Sequence, residues 1–260
     1  MTPYSTFAQD AFAGKTVMIT GAASGMGLEA SRAFASKQAQ VVMCDLNADA
    51  LERAANDLRQ NGAAVHTCVM DVADQPSVDA AFAWCDTNLN SLDILVTCAA
   101  ISSTKKIPDQ DRALWRHVLE VNLLGTFFCV QAAIARMVKQ PLGGSILCVA
   151  SDAGVNGGGG LVVDTPYAAS KAATLSLVKS VAREMAGRNV RINALNPGPT
   201  DSPFMDIISP DLKERIAASL PMRRMGRPSD MAAAILYICS ADAPFVYGSA
   251  VDVNGGSIFR

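Results

Sequence analysis

Histidine is scarce: His66 and His117 are the only two in 260 residues. Neither has a cysteine or acidic partner at ligand spacing, and the seven cysteines hold no C-x-x-C pair, so no metal site is expected. The residue type that usually moves protons near neutral pH is thus almost missing. Charge is also sparse, at 18% of residues with a formal net charge of −2. That excludes a basic nucleic-acid footprint, and the 50% hydrophobic content excludes a disordered chain. The cysteines are odd in number and sit in apolar runs such as "VVMCDL" and "SILCVA", which reads as small core residues in a reducing compartment. No uncharged run reaches the length of a membrane span, and "MTPYSTFAQDAFAGK" lacks the basic start and apolar stretch of a signal peptide. The expectation is a cytoplasmic protein with no membrane or nucleic-acid partner, acting on a small molecule.

What is present is alternation. Apolar, β-branched runs at 15–20, 39–45, 64–70, 92–99, 144–150, 189–195 and 249–253 are separated mostly by helix-length segments. That order predicts a single α/β domain over 1–260, with a doubly wound, seven-stranded parallel sheet covered by helices on both faces. After Asn47, "ADALERAANDLRQNG" keeps Leu51, Ala54, Ala55 and Leu58 on one face. A long helical pattern from Gln110 to about Lys139 has a largely apolar second half, more than the sheet needs, which points to a contact with another subunit. The one low-complexity stretch, "NGGGG" at 156–160, reads as a mobile loop.

"TVMITGAASGMGLEASRAFA" is a strand, a glycine turn and a helix. Gly21, Gly25 and Gly27, with Ser24 and Met26 among them, would let the backbone approach a pyrophosphate seated at the helix N-terminus. Asp45 ends the second strand 18 residues beyond Gly27, where a carboxylate can accept from the adenosine ribose hydroxyls, with Leu46 beside it. A 2′-phosphate would meet a like charge there, and neither "DLNAD" nor "GAASGMG" offers a basic residue, so the expected cofactor is NAD rather than NADP. Asp45 could alternatively cap the following helix. Asp71, with Val72, falls at the adenine edge or caps the helix beginning near Asp74.

In "TPYAASKAA", Tyr167 and Lys171 stand four residues apart, one helical turn on one face, if Thr165 caps the helix and Pro166 takes its first position. A tyrosine that titrates at about 10 needs roughly 4 kcal/mol of phenolate stabilisation to act near pH 7. Lys171 and the positive charge of an oxidised nicotinamide are the expected sources.

These motifs, in this order and spacing, resemble the short-chain dehydrogenases/reductases over essentially the whole chain. T-G-x-x-x-G-x-G lies on strand one, the acidic end on strand two, Y-x-x-x-K after strand five and N-P-G after strand six. The resemblance implies a Rossmann-fold oxidoreductase with Asn122, Ser151, Tyr167 and Lys171 as catalytic residues. Tyr167 would be the general base or acid, Ser151 would hold the substrate oxygen, Lys171 would also bind the nicotinamide ribose, and Asn122 would hold a water linking Lys171 to solvent. Ala99 would lie at the cofactor, Thr200 would bind the carboxamide, and Pro197 and Gly198 would shape the turn beneath the ring. Three departures stand out, one being a stretch between Ser151 and Tyr167 that Gly157 through Gly160 make longer than the family's. The family's N-N-A-G reads Thr97-Cys98-Ala99-Ala100, which removes amides that tie the sheet together, and V-D-G-G reads Val253-Asn254-Gly255-Gly256. The resemblance also implies a homotetramer. A substrate loop is expected at 152–165 and a lid at 200–216, enclosing a cyclic or aromatic alcohol, or a polyol if Asp152, Asn156 and Asp164 turn inward. The rival expectations are an NADPH-dependent 3-oxoacyl-carrier-protein reductase and a non-catalytic nicotinamide-binding regulator.

Overall fold

The computed structural model describes residues 8–158 and 164–259, so residues 159–163 of the expected substrate loop lie outside the described residues. Seven strands form one parallel sheet: β1 (Thr16–Thr20), β2 (Gln40–Asp45), β3 (Val65–Val69), β4 (Ile94–Thr97), β5 (Gly144–Val149), β6 (Val190–Pro197) and β7 (Ala250–Val253). Their order is β3-β2-β1-β4-β5-β6-β7. The chain works outward from β1 on one side and then restarts at β4 on the other. This reversal opens a crevice at the carboxyl ends of β1 and β4, where ligands bind in such sheets.

Successive residues of each strand feed opposite faces. Met18, Val42, Leu95, Ile146 and Ile192 face one core with Phe82, Val130 and Val178. Val17, Val41, Val96, Leu147 and Leu195 face the other with Phe34, Leu51 and Ile235. The covering helices are α1 (Gly25–Ser36), α2 (Ala48–Gln60), α3 (Gln75–Asn88), α4 (Arg112–Leu119), α5 (Gly125–Met137), the one-turn α6 (Ala153–Asn156), α7 (Thr165–Glu184), α8 (Pro210–Ser219) and α9 (Pro228–Cys239). Six of the seven cysteines are buried, and Cys98 is half-buried; all are free thiols.

Local chemistry settles several boundaries. The α2 cap is Asn47, which accepts from Ala50 N–H at 3.0 Å, so Asp45 is not a cap. Asp74 caps α3, accepting from Ser77 N–H at 3.2 Å, while Asp71 accepts from Ala73 N–H in the turn before it. The cap of α7 is Asp164, one residue earlier than expected, because its carboxylate reaches the Tyr167 N–H. Thr165 is therefore the first helical residue and Pro166 the second.

Arg112–Met137 is long and apolar enough to cross a membrane by length and composition, although Glu120 and Arg136 bound its uncharged run. It is instead laid against the sheet, with Val130, Ala133 and Met137 buried in the core that β4 and β5 share. It is also not one regular helix. Glu120–Leu124 forms a π-turn between α4 and α5, a widening of the kind that often marks functional positions.

Far from the crevice, Gly143 enters β5 at φ +65, and a methyl there would lie 1.6 Å from the Asn189 carbonyl oxygen. Gly143→Ala is therefore expected to cost about 2–4 kcal/mol of stability, read as a lower urea midpoint. An unchanged midpoint would show that the turn relaxes around the methyl.

Candidate active site

The glycine turn closes over the end of β1. Gly21 (φ +64) lies so close to β4 that a Cβ would sit 2.8 Å from Ala99 N, and a Cβ on Gly27 would sit 2.2 Å from Gly21 O. Only glycine leaves room for backbone at both places. Ser24 caps α1 with no side-chain hydrogen bond, and the first turn carries no acid, so no side chain of the helix itself offsets its positive end. These features fit a pyrophosphate. Across the crevice, a Cβ on Gly198 would meet Asn254 O at 2.5 Å, and Thr200 Oγ1 donates to Gly198 O at 2.9 Å, which locks the turn after Pro197.

Asp45 is held from both sides. Oδ2 accepts from Ala23 N–H and Oδ1 from Asn47 N–H, each at 3.0 Å. A carboxylate has about four acceptor positions, so two backbone bonds orient it toward the glycine turn and leave capacity for hydroxyl donors. Leu46 beside it is 66% exposed, an apolar wall where a flat base could rest. Val72 packs on Gly125 at the head of α5.

Thr20, which opens the T-G-x-x-x-G-x-G motif, joins β1 to the segment that lacks the N-N-A-G amides. Thr20 Oγ1 accepts from both Cys98 N–H and Ala99 N–H at 3.1 Å, tying the end of β1 to the segment after β4.

Ser151, Tyr167 and Lys171 converge at the carboxyl end of β5. Lys171 is 3% exposed; its Nζ donates to Val149 O at 2.7 Å and lies 5.6 Å from the centre of the Tyr167 ring. Burial pulls the ammonium down to about 8. Burial likewise pushes the Tyr167 phenol up to about 12; the Ser151 hydroxyl opposes this, and Asp152 and Asp164 add to it. Lys171 alone therefore does not supply the phenolate stabilisation expected from the sequence. Burial outweighs the Ser151 hydroxyl, and further positive charge beside the ring would bring the phenol down.

Asn122 is fully buried in the π-turn. Its Oδ1 accepts from Ile101 N–H at 2.8 Å, while Nδ2 donates to Ile101 O at 2.9 Å and to Ser170 Oγ at 3.1 Å. The side chain is thus a clamp between the loop after β4 and α7, and it makes no bond to Lys171.

A cavity of about 370 Å3 opens onto Ser151 and Tyr167, within the size range of small-molecule sites. Part of the expected lid covers it: the turn Pro203–Met205 places the Phe204 ring 5.6 Å from that of Tyr167, and Ile207 and Ile208 extend the wall. Lys213 bridges Asp201 at 3.2 Å and Asp206 at 2.8 Å, bracing the turn from outside. Asp152 and Asp164 line the cavity. Asn156 does not; it accepts from Gly158 N–H in its own loop.

A doubly wound parallel sheet, a glycine-rich turn at its switch point and a half-buried tyrosine beside a buried lysine define a Rossmann-fold oxidoreductase, and the chain belongs to the short-chain dehydrogenase/reductase family. The family model described as enoyl-(acyl carrier protein) reductase matches residues 21–257. Among curated relatives, the chain is 33% identical over 247 residues to 7α-hydroxysteroid dehydrogenase of Escherichia coli, covering 94% of each chain. It is 38% identical over 251 residues to galactitol 2-dehydrogenase (L-tagatose-forming) of Cereibacter sphaeroides, again covering 94% of each. Among solved structures, a short-chain type dehydrogenase/reductase from Mycobacterium marinum superposes with a TM-score of 0.91 at 30% identity, covering 98% of this chain and all of that one.

Proposed function

We propose that the protein is an NAD-dependent dehydrogenase interconverting a secondary alcohol and its ketone. The observation that carries the cofactor choice is Asp45, whose carboxylate is bonded to the glycine turn through Ala23 N–H. A ribose 2′-hydroxyl can donate to it, whereas a 2′-phosphate would be repelled at close range. Gly21, Ser24, Gly25, Met26 and Gly27 would hold the pyrophosphate, Asp45 and Leu46 the adenosine, with Asp71 and Val72 at the adenine edge. Ala99, Pro197, Gly198 and Thr200 would border the nicotinamide, and Lys171 would bind its ribose. When bound, the dinucleotide supplies a two-electron hydride acceptor or donor and, oxidised, a positive charge.

The chain's own residues do the rest. Tyr167 takes the alcohol proton in oxidation and returns it in reduction. Ser151 holds the substrate oxygen and stabilises charge developing there. Lys171 stabilises the phenolate from within a dry pocket. Asn122 keeps the π-turn and α7 in register, so that Tyr167 and Lys171 face the cavity together. The exposed Leu124, Phe127 and Val138 on and beside α5 support pairing of copies into a homotetramer.

Fluorescence titration tests the cofactor assignment. NADH is expected to bind at least about tenfold more tightly than NADPH, a difference of about 1.4 kcal/mol, and Asp45→Ala to erase most of the gap. Tighter NADPH binding would instead favour a 3-oxoacyl-carrier-protein reductase, the activity named for a relative from Thermotoga maritima that is 31% identical over 245 residues.

A further inference from the structure

We infer that Asp152 selects substrates with a second hydroxyl on the carbon next to the reacting one: vicinal diols in oxidation, α-hydroxyketones in reduction. The inference rests on the proposed dehydrogenase reading and deepens it.

Asp152 follows Ser151 directly and shares the cavity with it. Its Oδ1 accepts from Ser151 Oγ–H at 3.2 Å, and its Oδ2 accepts from Ser257 Oγ–H at 2.7 Å. Among the described residues no lysine, arginine or histidine forms an ion pair with it. The Ser257 and Ser151 hydroxyls and the Ala153 N–H stabilise this carboxylate, while desolvation raises its pKa.

Ser151 has one proton to give. In the structure Ser151 Oγ reaches Asp152 Oδ1 at 3.2 Å and also bonds with the Tyr167 phenol, while its lone pairs accept from Ala153 N–H at 3.1 Å. Once Ser151 turns its proton to the substrate oxygen, Asp152 Oδ1 loses that donor. A mono-alcohol offers it no replacement. A vicinal diol supplies one, because gauche oxygens on neighbouring carbons lie about 2.8 Å apart, close to the 3.2 Å between Ser151 Oγ and Asp152 Oδ1. One substrate oxygen can then sit on Ser151 and Tyr167 while the other donates to Asp152.

An ammonium group would also satisfy a carboxylate, but it would share the site with buried Lys171 and an oxidised nicotinamide. A neutral hydroxyl carries no such repulsion. Phe204, Met205 and Ile208 add apolar surface to the same cavity, suited to the carbon skeleton. The redox balance is that of any secondary alcohol: the carbinol carbon loses a hydride, its hydroxyl loses a proton to Tyr167, and C=O forms. The second hydroxyl keeps both its bonds, and the hydride acceptor is the oxidised dinucleotide.

The test compares trans-cyclohexane-1,2-diol with cyclohexanol, using NAD and the wild-type, Asp152→Asn and Ser257→Ala proteins. The wild type is expected to favour the diol by about 10–100-fold in kcat/KM, the worth of a hydrogen bond to a charged group. Asp152→Asn should collapse that ratio mainly through the KM of the diol, and Ser257→Ala should shrink it. Calorimetric titration of both alcohols into the NADH complex should show the same ranking. NADH affinity confirms that each variant is folded. Oxidation of both alcohols without preference, or a preference that survives Asp152→Asn, would overturn the inference and leave the dehydrogenase reading standing. Oxidation of neither compound, nor of any other alcohol, would overturn both.

Discussion

Replacing Tyr167 with phenylalanine is expected to lower kcat for alcohol oxidation by roughly a thousandfold, the usual worth of a positioned acid–base group, while NADH affinity changes only a few-fold. The ring survives, so its packing against Phe204, 5.6 Å away between centres, is kept and the cavity holds its shape. Only the oxygen that receives the proton is lost. The pH profile separates this outcome from simple disruption. Burial sets the phenol at about 12 in the bare site, so the basic form is the minor one at neutral pH. Wild-type oxidation should therefore rise with pH until Lys171 begins to lose its charge near about 8, and the residual rate of the variant should not follow that slope. Stopped or steady-state kinetics across the neutral and mildly alkaline range reads both quantities.

Lys171→Met is expected to abolish turnover while making the protein harder to unfold. The ammonium is buried and falls from 10.5 to about 8, a penalty on the charged form of about 3 kcal/mol. The neighbouring Cys98 and Cys148 thiols, pushed up to about 12 and about 11, stay neutral at pH 7 and offer no countercharge. Methionine fills the space without a charge but deprives Val149 O of its donor, which costs about 1 kcal/mol. A net gain of about 2 kcal/mol corresponds to a Tm higher by roughly 4 °C for a chain of this size. The gain has a pH signature. Between about 8 and 10.5 the unfolded chain holds the lysine proton and the folded one does not, so wild-type stability rises with pH through that window. The advantage of the variant is thus full below pH 8 and fades toward 10.5. Calorimetric Tm values at pH 7 and pH 10 check this; a lower Tm at pH 7 would mean that the Val149 contact outweighs desolvation. Such a site stores its cost in stability because the reaction needs the charge where water is scarce.

The sheet was legible because its signal is local. Runs such as "TVMIT" and "SILCV" are β-branched, short and bounded by turn residues, and each became a strand within a residue or two. The placement of Tyr167 with Lys171 was equally readable, since a four-residue spacing on a helix is fixed by geometry. Other features depend on distant partners. Thr20 gains its role from N–H groups 78 and 79 residues away, and Asp152 meets Ser257 across 105 residues. Nothing in either local stretch announces such a meeting. The cap of α7 was misplaced for a different reason: Asp164 and Thr165 are both good caps by type, and only the reach of the carboxylate to Tyr167 N–H decides between them. Asn122 was found by motif, but its bonds to Ile101 follow from the π-turn, which a regular 3.6-residue pattern does not foretell.

Formation of NADH from NAD in the presence of a secondary alcohol, followed by absorbance for the wild type and for Tyr167→Phe side by side, tests the central claim most directly. The account predicts turnover with NAD that rises with pH up to about 8 in the wild type and nearly disappears in a folded, NADH-binding variant. Undiminished turnover in Tyr167→Phe would contradict it, as would a wild-type protein that binds NADH yet oxidises no alcohol in a broad panel.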